Sequence, residues 1–470
     1  MYLPEQFRLL VLGQGATGLD VCRWACAHMP ERVTSITLYG GAKAAPCEDT
    51  RALEAAGVTV VLGTEEVEGS FDVCVASPGI SEFSAFFASA REHSTQIMGE
   101  PEFAFRLSPE RWIGITGTNG KTTTTALTHH LLSVAGMGAY AVGNIGDTAI
   151  SRVDDRTDSS WFVAELSSYQ LATTEYLHPH VAILLNITPD HLAWHTSHER
   201  YALAKCRLFR NLDAGDLAIV DVDDEGVRAV LDRIVAPGRR VLALSAEDTG
   251  SADAAFMREG VLVVRLAGEE CELVREDEMA LAGKHNMMNA LAAASAALFV
   301  GVPASAVRRG LKDFAALEHR IEPCGTVDGV RFYNDSKATN TDAVEKALTA
   351  FPNDRVVLLL GGSDKGTPLE DFAARVCASS VEAVVCFGAA RERFLHTFVE
   401  ADAMHSLNIA SAENLRDAVN VARNLAERGD VVLLSPACAS FDEFSGFEER
   451  GRVFKAYLNE LRSAKEDEAR

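Results

Sequence analysis

The stretch WIGITGTNGKTTTTALTHHLL, Trp112 to Leu132, sets a lysine and a run of threonines directly after a glycine-bounded turn. Gly117, Asn119 and Gly120 permit tight backbone curvature, Lys121 can reach terminal phosphate oxygens, and Thr122 can offer its hydroxyl to Mg²⁺. The chemistry open to such a loop is the handling of a nucleoside triphosphate. Its spacing departs from G-x-x-x-x-G-K-[ST], because Ile115 stands where the leading glycine is usual. The bland alternative is a glycine-rich turn with a solvated lysine. The position between an apolar strand pattern and a helix pattern favours the phosphate loop.

Magnesium takes oxygen ligands, and those belong at the ends of neighbouring strands. WFVAEL delivers Glu165 at the end of an apolar run, and VAILLNITPDHL brings Asp190 and His191 to the end of another. Either acid alone also reads as a cap or an ion-pair partner. In company with the loop, a metal role is expected for Glu165. Lys205, in HERYALAKCRLF, reads from its spacing as an ordinary solvated lysine on a helix.

A second glycine turn, GQGATG, matches G-x-G-x-x-G at Gly13, Gly15 and Gly18. Its N–H groups and the following helix N-terminus can hold a pyrophosphate, and the same turn serves equally as a plain connection. A dinucleotide dehydrogenase should carry an acid near the end of the next strand; SITLYGG has Tyr39 and Gly40 there, which weakens a nicotinamide reading. Towards the C-terminus, NDSKATN, GGSDKG with Lys365, and SPACASFDEFSGFEERG with Ser440, Phe441 and Phe447 each follow an apolar strand. Any one of them is ordinary turn chemistry. Three on one sheet rim suit a small anionic ligand.

The elements that must position these loops alternate between continuous apolar strands and amphipathic helices, the pattern of parallel, doubly wound sheets. The pattern begins at FRLLVLG and restarts at Ile113, after a polar stretch from Arg106 to Trp112 that reads as a linker. It restarts again beyond KDFAALEHRIE. The tail RSAKEDEAR reads as a frayed, solvated end. A chain of 470 residues exceeds what one core usually supports, and three α/β domains are expected.

The formal net charge of −23 argues against general nucleic-acid binding but leaves room for local basic pockets. The N-terminus reads as a first strand rather than a signal peptide, and ALAAASAALFVGV is too short to cross a bilayer. Ten cysteines without a C-x-x-C pair read as reduced. A cytoplasmic protein is expected.

GITGTNGKTT, ELSSYQL, NITPDHLAWHTSHERYALAKCRLF, GKHNMMNALAA, EHRIE, NDSKATN and LLSPACASFDEF occur in this order and together resemble the Mur ligases over nearly the whole chain. The family loop G-T-x-G-K-[ST] is matched by Gly117 to Thr122, which accounts for Ile115. The resemblance implies three domains: a Rossmann-like one binding a UDP-substrate at 1–108, a central P-loop-type ATPase with a mainly parallel sheet at 109–317, and a Rossmann-like one binding an amino acid at 318–470. It is nearest to the branch that joins D-glutamate to UDP-N-acetylmuramoyl-L-alanine (UDP-MurNAc-L-Ala). That reaction converts ATP to ADP and phosphate through an acyl phosphate and belongs to peptidoglycan precursor synthesis. Siblings adding other amino acids, and folylpolyglutamate synthases, are the neighbouring alternatives.

Residue by residue, the resemblance implies that Gly117, Thr118, Asn119, Gly120, Lys121, Thr122 and Thr123, with Asn286, Arg320 and Asp335, bind ATP. It implies two Mg²⁺ ions held by Thr122, Glu165, His191 and a carbamylated Lys205, with Lys121, Glu165, His191 and Lys205 catalytic. Gly15, Thr17, Gly18, Ser77, Gly79 and Asn144 fall on the UDP-substrate side, and Thr339, Lys365, Ser440, Phe441 and Phe447 on the D-glutamate side. Ala193 stands where many relatives carry Asp, which touches only local hydrogen bonding. Small-molecule partners alone are implied, with no nucleic acid, no membrane and a monomeric chain.

Overall fold

The computed structural model describes residues 3–468 except 191, 280, 282, 315–317, 365–367 and 403–406. The chain divides into two compact units, residues 1–279 with 287–314, and residues 280–286 with 315–470. The first unit contains two sheets and the second contains one.

The first sheet has five strands in the order Thr59–Val61, Val33–Tyr39, Phe7–Leu12, Phe71–Ala76, Ser94–Gly99, all parallel. Chain order reverses between Phe7–Leu12 and Phe71–Ala76. A crevice for ligand opens at such a switch, beyond the strand C-termini. GQGATG and Ser77 follow these two strands. The helix Ala16–Ala27 begins at N-cap Gly15 with no side-chain cap and no acid in its first turn, so no side chain there satisfies the first N–H groups.

The second sheet has nine strands. Trp112–Thr116 lies at its heart, between Trp161–Glu165 on one side and Val181–Leu184 on the other, all parallel. Ala139–Gly143 forms one edge. Leu217–Asp221, Arg240–Leu244 and Ala254–Arg258 continue the sheet the other way, to an antiparallel edge of Val261–Leu266 and Glu269–Arg275. The phosphate-loop strand is therefore flanked by the strands that deliver Glu165 and the 185–190 segment, and this adjacency assembles the site.

The third sheet, in the second unit, runs Glu322–Val327, Val330–Asn334, Val431–Ala437, Val356–Gly361, Val381–Phe387, Asn408–Ser411, with its first pair antiparallel. The loops after Asn334, Gly361 and Ala437 leave the same rim.

Two expectations change. Arg106 and Leu107 belong to the helix Glu100–Leu107, and Trp112 is fully buried at the start of its strand, so the polar connection is only 108–111. The arginine is neutralised in place, with Glu102 accepting from Arg106 at 2.8 Å. The C-terminal tail is not frayed from Arg462: the helix Phe447–Glu468 runs through most of it. Alanine, glutamate and lysine carry good helix propensity, and that outweighs the polarity. All ten cysteines are free thiols. Among the described residues no helix is long and apolar enough to cross a membrane.

Candidate active site

The phosphate loop is pinned by its neighbour in the sheet. Thr118 N–H donates to the Asn186 carbonyl at 2.9 Å. The Asn186 side chain accepts from Asn119 N–H at 2.7 Å and donates back to the Asn119 carbonyl at 3.1 Å. The Thr118 hydroxyl meets the Tyr201 hydroxyl at 2.9 Å. Gly120 caps the helix Lys121–Val134 in the left-handed region, at φ +81°, and no side chain caps that terminus. Backbone N–H groups are thereby presented to an anion, with Lys121 beside them and Thr122 and Thr123 buried in the first turn.

Glu165 ends the adjacent strand and is 1% exposed. Its Oε1 accepts from Asn144 Nδ2 at 2.8 Å, while its Oε2 is buried without a hydrogen-bond partner. A buried carboxylate oxygen left without a donor is costly in isolation and suits a hard cation, so the residues present fit Mg²⁺. Asn144, expected on the UDP-substrate side, orients this carboxylate. Gly143 before it, at φ +99°, lies where a Cβ would come 2.3 Å from the Glu165 carbonyl.

Lys205 is not the solvated lysine its spacing suggests. It is 1% exposed, on the inner face of the helix His198–Cys206, with Nζ donating to the Gly117 carbonyl at 2.7 Å and lying 4.5 Å from the Tyr201 ring centre. Burial, and then the charge of Lys121, hold its pKa well below the ordinary lysine value. His191 lies outside the described residues.

At the first sheet, Gly18 packs so tightly that a Cβ would sit 1.9 Å from the Gly13 carbonyl, while Gly15 and Gly79 open to free space. The Ser77 hydroxyl oxygen is buried and unpartnered beside them. Thr17 is half-buried in the first turn of the helix.

In the second unit, Asp335 directly follows the strand Val330–Asn334, and accepts from the Ser435 hydroxyl at 2.7 Å and from Ile321 N–H at 3.3 Å. Burial pushes its carboxyl up to about 7, against the Ser435 hydroxyl and the charge of Arg320. Asn286, 9% exposed, belongs to this unit as well. Ser440 is 2% exposed with an unpartnered hydroxyl oxygen, Phe441 is 73% exposed, and Thr339 and Phe447 are half-buried. Lys365 lies outside the described residues.

Two family models match this chain: the Mur ligase middle domain at residues 115–297 and the Mur ligase glutamate ligase domain at residues 319–438. A UDP-N-acetylmuramoylalanine–D-glutamate ligase of Acidobacterium capsulatum is 38% identical, covering 95% of this chain and 95% of that protein. Its counterpart in Caldicellulosiruptor bescii is 38% identical over 82% of this chain and 83% of its own length. The chain belongs to the Mur ligase family. Among solved structures, a UDP-N-acetylmuramate-alanine ligase of Thermotoga maritima superposes with TM-score 0.57 at 17% identity, covering 98% of this chain and all of that one. A pseudomurein peptide ligase type C of Methanothermus fervidus gives TM-score 0.59 at 14% identity over 97% of this chain. These two show the fold.

Within this Mur ligase, an ATP-dependent ligase, spacing did not single out three residues, two at the phosphate loop of the first unit and one among the rim loops of the second. Asn186 clamps the phosphate loop, as described. Asn289 lies one helical turn beyond Asn286, is 5% exposed, and accepts from the Thr124 hydroxyl at 3.3 Å; a Cβ on Gly120 would come 2.4 Å from its Oδ1. The signal for it was present as the i, i+3 asparagine pair in KHNMMN. Arg450 is fully buried and ties two of the rim loops together. It donates to the Ser336 hydroxyl at 2.9 Å, the Ser336 carbonyl at 2.7 Å and the Cys438 carbonyl at 3.0 Å. Burial pushes its guanidinium down to about 10. Nothing local marks it among the charged residues of FEERGR.

Proposed function

We propose that this Mur ligase joins D-glutamate to UDP-MurNAc-L-Ala at the expense of ATP, in peptidoglycan precursor synthesis. The observation that carries the phosphoryl-transfer chemistry is the unpartnered, buried Glu165 oxygen one strand from the capless helix of Lys121. The choice of amino acid is supported by relatives that bear that name along almost the whole chain.

The alanine carboxylate attacks the γ-phosphorus of ATP and ADP leaves, giving an acyl phosphate. The amine of D-glutamate then attacks the acyl carbon, and phosphate departs as the amide forms. The first step brings two anions together. Lys121 and the N–H groups of Gly117 to Thr123 offset that repulsion and stabilise the transferring phosphoryl group. Thr122, Glu165, His191 and Lys205 as a carbamate would hold Mg²⁺, as two ions, which would supply positive charge to the phosphoryl group being transferred. Asn144 keeps the Glu165 carboxylate turned for this task. Asn286, Arg320 and Asp335 take the adenine nucleotide. Gly15, Thr17, Gly18, Ser77, Gly79 and Asn144 take the UDP-substrate; Thr339, Lys365, Ser440, Phe441 and Phe447 take D-glutamate.

The domains run 1–108, 109–317 and 318–470, and the protein acts as a cytoplasmic monomer. The test is phosphate release from ATP in the presence of UDP-MurNAc-L-Ala and a panel of amino acids. Release with D-glutamate alone supports the reading. Release with L-alanine, a diaminoacid or a dipeptide instead assigns a sibling reaction.

A further inference from the structure

Arg320 sits between two residues whose backbones are left-handed although neither is glycine: His319 at φ +64° and Ile321 at φ +45°. Such conformations are costly for a bulky or β-branched side chain and persist where the surroundings over-determine them. Here those surroundings can be named. His319 N–H donates to Glu322 Oε2 at 2.9 Å, and Lys337 N–H donates to the His319 carbonyl at 3.2 Å. Asn334, fully buried, donates through Nδ2 to His319 Nδ1 and to Glu322 Oε2, each at 2.9 Å.

Beneath this turn runs the helix Phe447–Glu468. Its Gly451 leaves room for the imidazole, since a Cβ there would fall 2.1 Å from His319 Nδ1. One helical turn on, Lys455 Nζ donates to Glu322 Oε1 at 2.9 Å and to Glu318 Oε1 at 2.5 Å. Glu318, His319 and Glu322 gather ligand-type atoms, but the Lys455 ammonium is the cation that bridges the two carboxylates.

We propose that Glu322 and Lys455 are positioning residues for the adenine nucleotide. Lys455 holds the Glu322 carboxylate, Glu322 holds the strained 319–321 turn, and the turn aims Arg320. This rests on the assignment of Arg320 to ATP made above. Neither residue touches the nucleotide. A half-buried surface ion pair of this kind contributes only modestly to stability, whereas a loosened turn misplaces a guanidinium that must meet phosphate oxygens.

Lys455→Met removes the cation and retains most of the stem. The expected result is a rise of about tenfold in KM for ATP and in the calorimetric Kd of a non-hydrolysable ATP analogue. KM for D-glutamate stays within about twofold, and the thermal midpoint stays near that of the unaltered protein. Lys455→Arg restores ATP use. Gly451→Ala, which displaces His319 while favouring the helix, reproduces the ATP defect. Arg320→Met is the control for the underlying assignment. If it leaves ATP binding unchanged, Arg320 does not serve the nucleotide and the basis of both readings is gone. If Arg320→Met weakens ATP binding but Lys455→Met and Gly451→Ala do not, the positioning role alone is overturned. It is overturned equally if Lys455→Met adds its full effect on top of Arg320→Met, because residues acting through one another are not additive.

Discussion

Lys121 and Lys205 donate to one and the same oxygen, the Gly117 carbonyl, at 3.0 and 2.7 Å. Lys205 is fully buried, and two ammonium groups drawn to one point disfavour each other's charge as well, so its pKa falls well below the ordinary value. A neutral amine is nucleophilic, and this is the state in which lysine adds CO₂. Lys205→Ala is expected to lower turnover by at least about 100-fold, with partial recovery in formate as a substitute carboxylate. Because the side chain is buried, the thermal midpoint must be read alongside. A well-folded Lys205→Ala enzyme with normal turnover would remove the carbamate from the mechanism.

The two half-reactions should separate between Glu165 and Lys365. Positional isotope exchange in ATP without D-glutamate reads acyl-phosphate formation, and ligation kinetics read the second step. Glu165→Gln should suppress exchange. Lys365→Met should spare it while weakening D-glutamate use by about 10- to 150-fold, the range for losing a hydrogen bond to a charged group. Equal suppression of exchange by both variants would place Lys365 with the nucleotide.

Gly120 and Asn289 are packed against each other, since a Cβ on Gly120 would come 2.4 Å from the asparagine oxygen and the backbone there is left-handed. Gly120→Ala should therefore distort the loop and raise KM for ATP by about tenfold or more, at a stability loss of about 1 kcal/mol or more. Pairing it with Asn289→Ala should relieve part of the kinetic defect. No relief in the double variant would show that backbone strain, not the collision, governs the loop.

Glu100 supplies a pH dependence of stability. It is 1% exposed, its Oε1 accepts from Ile150 N–H at 2.7 Å, and burial pushes its carboxyl from the ordinary 4.5 up to about 7. The folded state therefore keeps a proton that the unfolded chain releases. Stability falls as pH rises from about 4.5 to about 7, by on the order of 3 kcal/mol, and the loss is complete above that window. Glu100→Gln should flatten this slope and be relatively more stable at pH 8 than at pH 5. Denaturation midpoints of the two proteins that run parallel from pH 5 to 8 would contradict the assignment.

The sequence by itself determined what depends on neighbours along the chain. The phosphate loop, the strand-ending Glu165 and the alternation of strands and helices are local patterns, and each reappears in the structure where spacing put it. Helix propensity was local too, yet the tail beyond Arg462 was misread because polarity was weighed above it. The tertiary structure alone decided what depends on distant segments. Lys205 and Arg450 sit in helices whose residue types look solvated. Only the packing of His198–Cys206 behind the phosphate loop, and of Phe447–Glu468 beneath the third sheet's rim, removes them from water. Sheet order did the same for Asn186: the strand before it pairs with Trp112–Thr116, and that pairing lets a side chain from one loop close on the backbone of another. Burial and strand adjacency are properties of the assembled sheet, and no window of sequence contains them.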